Sequence, residues 1–403
     1  MGGYTRREQL IILALSLGTF TGVLNVYLLT PFLKLVAAEF HISQSAAGQL
    51  ATVYALVAGM TGLLTAPLMD RYQRKVLLQL GLLVVALGTA LSALAWSFPL
   101  MLAARSLAGF GAAFSGGCLF AAASDAFPDL NKRNSCIGIL LSATGIAAVV
   151  GIPILTQLEA LTSWRWAAAS LLVPLAVVVA GASVLPDREL GARPSLLADY
   201  LARYRLVLRH RETSYLLLAN LIRSIVWTAP LVYSVAIWVG LFHVSLRGYS
   251  WIFLVAGVTY FAGSNLAPAT VRRIGPGGVF VAGSVIQFAA ALAFGLATSN
   301  LAAAILLVCG LIFFAGAFVS VALNILLQSS LPEIRGAVLS LSNTAGQAGA
   351  ALGGILGGVI LASLSAGALI PVISLLTPLA LAAVWLSARG FQPAPLVETA
   401  AGD

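Results

Sequence analysis

Charged residues are scarce in this chain. Asp, Glu, Lys and Arg together make up 9% of the 403 residues, whereas hydrophobic residues make up 60%. A water-soluble globular protein carries about 25% charged residues, because its surface must be hydrated. The scarcity excludes a soluble enzyme, a secreted disulfide domain and a disordered chain. It leaves a polytopic membrane protein.

Cysteine and histidine are equally sparse, with three residues of each. Cys118, Cys136 and Cys309 form no CxxC pair and have no neighbouring histidines, so neither a disulfide framework nor a zinc site is predicted. A GxxxxGK[ST] phosphate loop is also missing, which argues against an ATP-driven pump. We therefore expect no cofactor, no metal and no catalytic residues, and we do not expect an enzyme.

Long apolar runs, by contrast, are abundant. About 20 apolar residues cross a bilayer core as an α-helix. These runs do not alternate as membrane β-strands do, and backbone groups in lipid must bond within their own segment, so each run is predicted to be a helix. The predicted spans, numbered 1–12 in chain order, are 9–31, 46–69, 76–96, 100–123, 135–158, 166–185, 214–241, 249–270, 278–297, 302–328, 338–363 and 368–388.

The positive charges lie between the runs and are unevenly divided. With the N-terminus inside, 17 Lys and Arg residues lie in inner segments, and only Lys34, Arg165 and Arg247 lie in outer ones. The positive-inside rule then predicts a multi-pass protein of the cytoplasmic (inner) membrane, in contact with its lipid, with both termini in the cytoplasm. The same asymmetry accounts for most of the net charge of +9, so nucleic acid is not an expected partner.

The longest internal polar segment, 186–212, divides the chain into two halves. The predicted domains are a six-helix bundle over 1–185, a cytoplasmic linker over 186–212, a second six-helix bundle over 213–391 and a cytoplasmic tail over 392–403. Apolar residues at helical spacing in the linker predict an amphipathic helix on the membrane surface, with a solvated linker as the alternative.

The two halves repeat weakly. Ala66-Pro67 followed by Arg71 is matched by Ala267-Pro268 followed by Arg272. Two similar bundles around one central site are what a rocking transporter needs.

Four short motifs occur in order along the first half. They are Asp70-Arg71-Tyr72-Gln73-Arg74-Lys75 after span 2, the Arg105–Gly111 stretch in span 4, Gly145, Gly151 and Pro153 in span 5, and Trp164-Arg165-Trp166 at the outer end of the next hairpin. Together they resemble the loop, arginine–glycine and antiporter motifs of the major facilitator superfamily, in its twelve-helix drug and sugar efflux (drug:H+ antiporter) branch.

This resemblance implies an all-α membrane protein of two pseudo-symmetric six-helix bundles, which works as a monomer by alternating access. It also implies a conformational switch, made of Asp70, Arg71, Arg74, Gly145, Gly151 and Pro153. In the family, the carboxylate at Asp70 faces the N-terminus of span 11, where the helix dipole favours an anion. An ordinary charged loop and passive helix packing are the alternatives.

Two arginines lie inside predicted spans. A charge at the bilayer centre costs roughly 2.5–3.5 kcal/mol on insertion scales, so such a residue faces the protein interior or water and marks function. Arg223 lies about 13 Å into span 7 at 1.5 Å per residue. Spans 1, 4, 7 and 10 line the cavity in the family that this chain resembles. The predicted substrate-binding residues are Arg223, Arg105, Asn25, Tyr27, Asn220, Trp227 and Asn324, with a structural role for Arg105 as the alternative.

All thirteen acidic residues lie outside the predicted spans. Antiporters of the branch that this chain resembles commonly carry a carboxylate in span 1, but here the stretch from Gly18 to Tyr27 has none. Protons are a candidate coupling ion, with Asp125 at the inner end of span 4 as the candidate residue. Otherwise the protein is not proton-coupled in the usual manner. Arginines without acids favour an anionic or zwitterionic substrate over a cationic one.

The sequence therefore predicts a secondary active transporter that exports a small amphipathic or anionic compound. Two alternatives stay open: an importer or facilitator of an organic anion, and a non-transporting membrane receptor or assembly protein with the same fold.

Overall fold

The computed structural model describes residues 4–127, 129–186 and 197–390. The predicted tail 392–403 and the first part of the predicted linker lie outside the described residues, as do the side chain of Asp70 and the surroundings of Gly145. All regular structure in the described part is helical, which confirms the all-α class.

The helices follow the predicted spans closely. In the first half they are Arg6–Val26, Leu33–Glu39, Gln44–Arg71, Arg74–Leu94, Phe98–Ala126, Leu130–Ile146, Ile152–Leu161, Trp164–Ala169 and Leu172–Gly181. Leu197–Arg209 lies in the linker. In the second half they are Arg211–Val232, Leu246–Leu296, Leu301–Ile305, Phe314–Ser330, Arg335–Ser363, Ala366–Ser374 and Thr377–Gly390.

Ten helical segments in the described part are long and apolar enough to cross a membrane. One of them, Leu246–Leu296, has 51 residues. At 1.5 Å per residue it is about 76 Å long, more than twice a bilayer core. It leaves helical geometry at Gly275, with φ 74° and ψ 161°, which only glycine adopts readily. Predicted spans 8 and 9 are therefore two arms of one segment.

Predicted span 5 is interrupted rather than merged. A π-helical turn, Ala147–Gly151, separates Leu130–Ile146 from Ile152–Leu161. Pro153 follows directly, and its ring nitrogen has no N–H for the carbonyl four residues earlier, which loosens the helix at this point. We keep the numbers 1–12 of the predicted spans for the corresponding helical segments.

The even-numbered spans all begin at one end of the bundle with an uncharged cap. In each, a side-chain oxygen accepts a hydrogen bond from the backbone N–H three residues on, which satisfies a free helix donor. The capping residues are Ser43, Ser97, Ser163, Ser245, Asn300 and Ser365. Following the predicted orientation, we call this the outer end and the opposite end the inner end.

The helices pack with a repeated pattern of neighbours. Span 1 contacts spans 5 and 6 just as span 7 contacts spans 11 and 12, and span 2 contacts span 4 as span 8 contacts span 10. Between the halves, span 2 packs against span 11, and span 5 packs against span 8. If each span of the first half is matched with the span six places later, the contact between spans 2 and 11 corresponds to the contact between spans 8 and 5. The packing is therefore pseudo-symmetric.

The two halves close on each other at the outer end. Ser45 Oγ of span 2 donates a hydrogen bond to the Gly358 carbonyl of span 11 at 2.9 Å. Tyr233 of span 7 donates to the Gly354 carbonyl at 2.9 Å and contacts the Ser45 carbonyl at 3.3 Å. The Thr156 and Ser250 hydroxyls are hydrogen-bonded between spans 5 and 8. Buried apolar side chains from both halves fill the space around these contacts.

The linker helix Leu197–Arg209 docks on the protein by one face. Tyr204 donates to the Leu63 carbonyl of span 2 and is hydrogen-bonded to Ser340 Oγ of span 11, both at 3.1 Å. Burial raises the pKa of Tyr204, which keeps its hydroxyl protonated as a donor. Other apolar residues of this helix, Leu201 and Leu206, are exposed. The helix thus bridges the two halves at the inner end.

Candidate functional site

A cavity of about 510 Å³ lies between the two halves. It extends to Leu339, four residues after span 11 begins, and to Asn324, six residues before span 10 ends, so it reaches toward the inner end. Most of its wall comes from the second half. The lining residues that carry polar groups are Tyr27, Asn220, Arg223, Ser224, Trp227, Thr228, Tyr260, Ser320, Asn324, Ser342, Asn343 and Gln347.

Spans 1, 2, 7, 8, 10 and 11 supply this wall. No described residue of span 4 lines this cavity, and Arg105 of span 4 is covered by Asn25 of span 1 and Tyr54 of span 2. Span 11 contributes small and polar residues to this wall, among them Ser342, Asn343 and Gly346.

Arg223 is the one charged residue in the described wall. Its Nη1 donates to Ser320 Oγ at 3.1 Å, and its Nη2 and Nε donate to Asn220 Oδ1 at 3.2 and 3.4 Å. Both partners are neutral. Arg223 lies twelve residues after Arg211, about 18 Å along span 7 at 1.5 Å per residue. The guanidinium is therefore held deep in the membrane-spanning region without a carboxylate.

Asn220 holds Arg223 in place and is itself fixed. Its Nδ2 donates to the Ser342 carbonyl at 2.8 Å and to Ser342 Oγ at 3.1 Å, so Oδ1 must face Arg223. Ser320 and Ser342 were not predicted as site residues. Ser320 lies one helical turn before Asn324, but serine is common inside membrane helices, so this signal is weak.

Aromatic side chains form the outer wall of the cavity. Trp227 packs between Tyr260 and Phe313, with ring centroids 5.4 and 5.0 Å apart. Beyond them lies a second cavity of about 140 Å³, lined by Tyr27, Trp227, Tyr260 and apolar residues such as Ile152 and Phe253. Tyr27, Trp227 and Tyr260 line both cavities, so the second cavity adjoins the first, and we call it the apolar extension.

Arg105 and Asn25 lie elsewhere. Arg105 is 1% exposed and Asn25 is fully buried. Arg105 donates to Asn25 Oδ1 at 3.2 Å and to the Asn25 carbonyl at 3.0 Å, and its guanidinium lies 4.4 Å from the Tyr54 ring centroid. Asn25 in turn donates to Thr89 at 2.7 Å. In this conformation both residues are closed off from the cavity and join spans 1, 2, 3 and 4.

The other five predicted substrate-binding residues all belong to the cavity wall. Tyr27, Asn220, Trp227, Asn324 and Arg223 line the central cavity. The Nδ2 amide of Asn324 donates a hydrogen bond to the Ser320 carbonyl at 2.9 Å. The structure thus brings together five of the seven predicted substrate-binding residues in one cavity wall.

Asp125 lies at the inner end of span 4 and is ion-paired. Its Oδ2 lies 2.6 Å from Arg74 Nη1, which also donates to the Ala121 carbonyl at 2.8 Å. Two other acids are paired at the ends of the bundle, Glu8 with Lys132 at 2.8 Å and Glu39 with Arg165 at 2.6 Å. This ion pair places Asp125 to hold the loop after span 2 against span 4.

The other predicted switch residues lie at the end of span 2 and in span 5. Arg71 is exposed and lies 5.8 Å from the Tyr72 ring. Gly151 packs against Leu24 of span 1, and Pro153 follows in the same turn of span 5. The contact predicted for Asp70 lies outside the described side chains.

Span 11 packs closely on span 7 through glycines at four-residue spacing. A Cβ at Gly353 would lie 2.8 Å from the Ile225 carbonyl, and one at Gly357 would lie 2.9 Å from the Tyr233 ring. Gly349 meets the Leu221 carbonyl in the same way. This stripe of small residues lets the two backbones approach, as expected in lipid.

Known proteins share this sequence pattern and this fold. The Major Facilitator Superfamily profile matches residues 15–354. The uncharacterized MFS-type transporter YceJ of Bacillus subtilis (strain 168) is 28% identical over 348 residues, covering 83% of this chain and 85% of that protein.

Two solved structures show the likeness in fold. A bacterial homologue of the human lysosomal transporter Spinster, in an inward-facing and unoccupied conformation, has a TM-score of 0.72 at 15% identity, covering 97% of this chain and 100% of that one. The human organic anion transporter MFSD10 (TETRAN) has a TM-score of 0.66 at 20% identity, covering 94% of this chain and 100% of that one.

Proposed function

Since this chain belongs to the major facilitator superfamily and is an integral membrane protein with the fold of its transporters, we propose that it is a secondary active transporter of a small organic anion. It works by alternating access, and it exports an anion that carries an apolar body across the cytoplasmic membrane. The observation that carries the proposal is Arg223, a charged residue in a central cavity whose described wall has no carboxylate.

An anion is the ligand that this wall recognises best. A guanidinium whose partners among the described residues are the neutral Asn220 and Ser320 keeps its positive charge for a ligand. Charge-assisted hydrogen bonds from arginine to an anion are roughly twice as strong as neutral ones. A cationic ligand would meet repulsion from Arg223 without any opposite charge on the wall. The human relative in fold is described as an organic anion transporter, which is consistent with this class.

The apolar extension supports an amphipathic anion rather than a purely polar one. The second cavity begins at Tyr27, Trp227 and Tyr260 and continues between apolar side chains of both halves. A ligand whose charged group lies at Arg223 can place an aromatic or aliphatic body against these rings. Ligand sites of this kind combine mostly apolar walls with few polar groups that fix orientation.

Export is supported by the direction in which the cavity extends. The halves are joined at the outer end, and the cavity reaches toward the inner end, which is cytoplasmic in the predicted orientation. A cytoplasmic ligand could therefore load in this conformation. The glycine–proline motif of span 5, with Gly151 and Pro153, resembles that of exporters and points the same way.

The test is ligand-induced thermal stabilisation of the purified protein with matched compounds on one naphthyl body. Naphthalene-1-sulfonate, 1-naphthoate and 1-naphthyl phosphate supply anions, naphthalene-1-sulfonamide supplies a neutral compound, and (naphthalen-1-ylmethyl)trimethylammonium supplies a cation. Methanesulfonate supplies the charge without the body. A ligand that binds only the folded state raises its apparent stability. We expect stabilisation by naphthyl anions above all others.

Three variants place the site. Arg223→Gln should abolish the preference for anions, and Arg223→Lys should retain part of it. Arg211→Gln removes an exposed arginine from the same helix and should change nothing. Stabilisation by the cation alone, or anion binding that survives Arg223→Gln unchanged, would overturn the proposal. Export is then measured as uptake of the bound anion into inside-out vesicles.

A further inference from the structure

The positive charge of Arg223 has no counterpart inside the membrane-spanning region. Its described partners are neutral, and all thirteen acidic residues of the sequence lie outside the predicted spans. Three of those acids are already paired at the ends of the bundle, with Arg74, Lys132 and Arg165. In the open cavity, water in a volume of about 510 Å³ can solvate the guanidinium.

Alternating access removes that water. Between the two open states, the cavity must close at both ends, and a charge taken out of water without a partner is strongly disfavoured. A bound anion changes this balance, because it pairs with the guanidinium in the closed cavity, where charge-assisted hydrogen bonds are strong. The loaded protein should therefore pass through the closed state far more easily than the empty protein.

We propose that this protein is an obligatory anion exchanger, in which the return step also requires a bound anion. The inference rests on the proposed function, since it takes the same anion at the same Arg223, and it adds the mode of transport. One anion leaves as another enters, and the exchange of like charges needs no proton. Among the described residues that line the cavity, the titratable side chains besides Arg223 are the phenols of Tyr27 and Tyr260, and none is a carboxylate.

The first test measures flux in proteoliposomes that contain the purified full-length protein. Uptake of naphthalene-1-sulfonate is followed with the membrane potential clamped, with and without the same anion trapped inside. Internal anion should accelerate uptake about tenfold or more, which corresponds to a barrier difference of about 1.4 kcal/mol. The rate should be equal at pH 6 and pH 8, because a sulfonate does not titrate in this range. Equal uptake into empty and loaded liposomes, or uptake driven by a pH gradient, would overturn the inference.

The second test needs no flux. Gln49→Cys places a thiol on span 2 near the outer contact between Ser45 and Gly358, where Gln49 is partly buried, and the three native cysteines are buried. Without ligand, maleimide should label this cysteine slowly, and naphthalene-1-sulfonate should accelerate labelling about tenfold. Adding Arg223→Gln should give fast labelling without any anion, whereas Arg223→Lys keeps the charge and should keep labelling slow. Fast labelling of the unliganded protein with Arg223 intact would contradict the inference.

The two proposals fail in different ways. If no naphthyl anion stabilises the protein, the proposed function is wrong, and the labelling comparison of Arg223→Gln with Arg223→Lys still reports whether the charge holds the empty protein in one state. If anions bind at Arg223 but the rate of uptake is the same with and without anion trapped inside the liposomes, the proposed function stands and the exchange mode is wrong.

Discussion

Arg105 and Arg223 are the two arginines inside the membrane-spanning region, and their surroundings are opposite. Arg105 is enclosed by Asn25 and the Tyr54 ring, and almost none of its surface is exposed. Arg223 projects from span 7 into a cavity of about 510 Å³ with neutral partners on one side only. The first joins four helices of one half, and the second faces the space between the halves.

The difference teaches that a charge in a membrane has two ways to persist. It can be enclosed by protein groups, in which case it joins helices and its removal leaves a buried acceptor without its donor. The charge can instead face water or a ligand, in which case removal of the side chain lowers ligand affinity and changes the free energy of unfolding little. Three comparisons between the two regions test this division, from the largest effect to the smallest.

The largest contrast is expected from the same substitution at both sites. Arg105→Met should lower the free energy of unfolding by about 3 kcal/mol, because it leaves Asn25 Oδ1 buried without its donor and takes one donor away from the Asn25 carbonyl. Arg223→Met should change it by less than about 1 kcal/mol, since water replaces the lost contacts in the cavity. Thermal unfolding in detergent measures both. Similar losses at the two positions would show that Arg223 is structural too.

A smaller contrast is expected for the two asparagines that hold these arginines. Asn25→Ala should cost about 2 kcal/mol of stability, because Arg105 and Thr89 both lose a buried partner. Asn220→Ala should leave stability nearly unchanged but weaken binding of naphthalene-1-sulfonate about fivefold, which is about 1 kcal/mol, since the Arg223 guanidinium is no longer oriented. Unfolding curves and ligand titrations on both variants separate the effects. A larger stability loss for Asn220→Ala would contradict the division.

The smallest effect concerns the ring beside Arg105. Tyr54→Leu should destabilise by about 1 kcal/mol more than Tyr54→Phe, because only the phenylalanine keeps an aromatic face for the guanidinium. Neither change should alter anion affinity, because Tyr54 is buried away from the cavity. If the two variants unfold at the same temperature, the contact with the ring contributes nothing to stability.

The features that depend on composition along the chain could be predicted from sequence. The spans follow from apolar runs, and the all-α class follows from the need of lipid-exposed backbone to bond locally. The close approach of span 11 to span 7 depends on Gly349, Gly353 and Gly357, and their four-residue spacing, which places them on one helix face, is visible in the sequence. The distance of Arg223 from the start of span 7 could also be estimated from the sequence, because the rise per residue of an α-helix is constant.

The rotation of each helix about its axis could not be predicted, and that rotation decides the site. Arg105 and Arg223 are alike in sequence terms, but Arg105 meets Asn25 and Tyr54, which lie 80 and 51 residues earlier in the chain. Asp125 pairs with Arg74, which is likewise far away in the sequence. The sequence predicts the linker helix on the membrane surface, and its docking through Tyr204 between spans 2 and 11 could not be predicted, because one acceptor is the backbone carbonyl of Leu63, which no residue pattern reveals.

The outer closure has a consequence for how mutations act on it. The acceptors on span 11 are the backbone carbonyls of Gly354 and Gly358, so no substitution there can delete them. A side chain at Gly358 would instead press on Ser45 and Tyr233, with a Cβ only 2.7 Å from either hydroxyl oxygen. The closure is thus tolerant of changed chemistry and intolerant of added volume. If Gly354 and Gly358 are randomised and functional variants are selected, small residues should be retained at these positions, whether the replacements offered are polar or apolar.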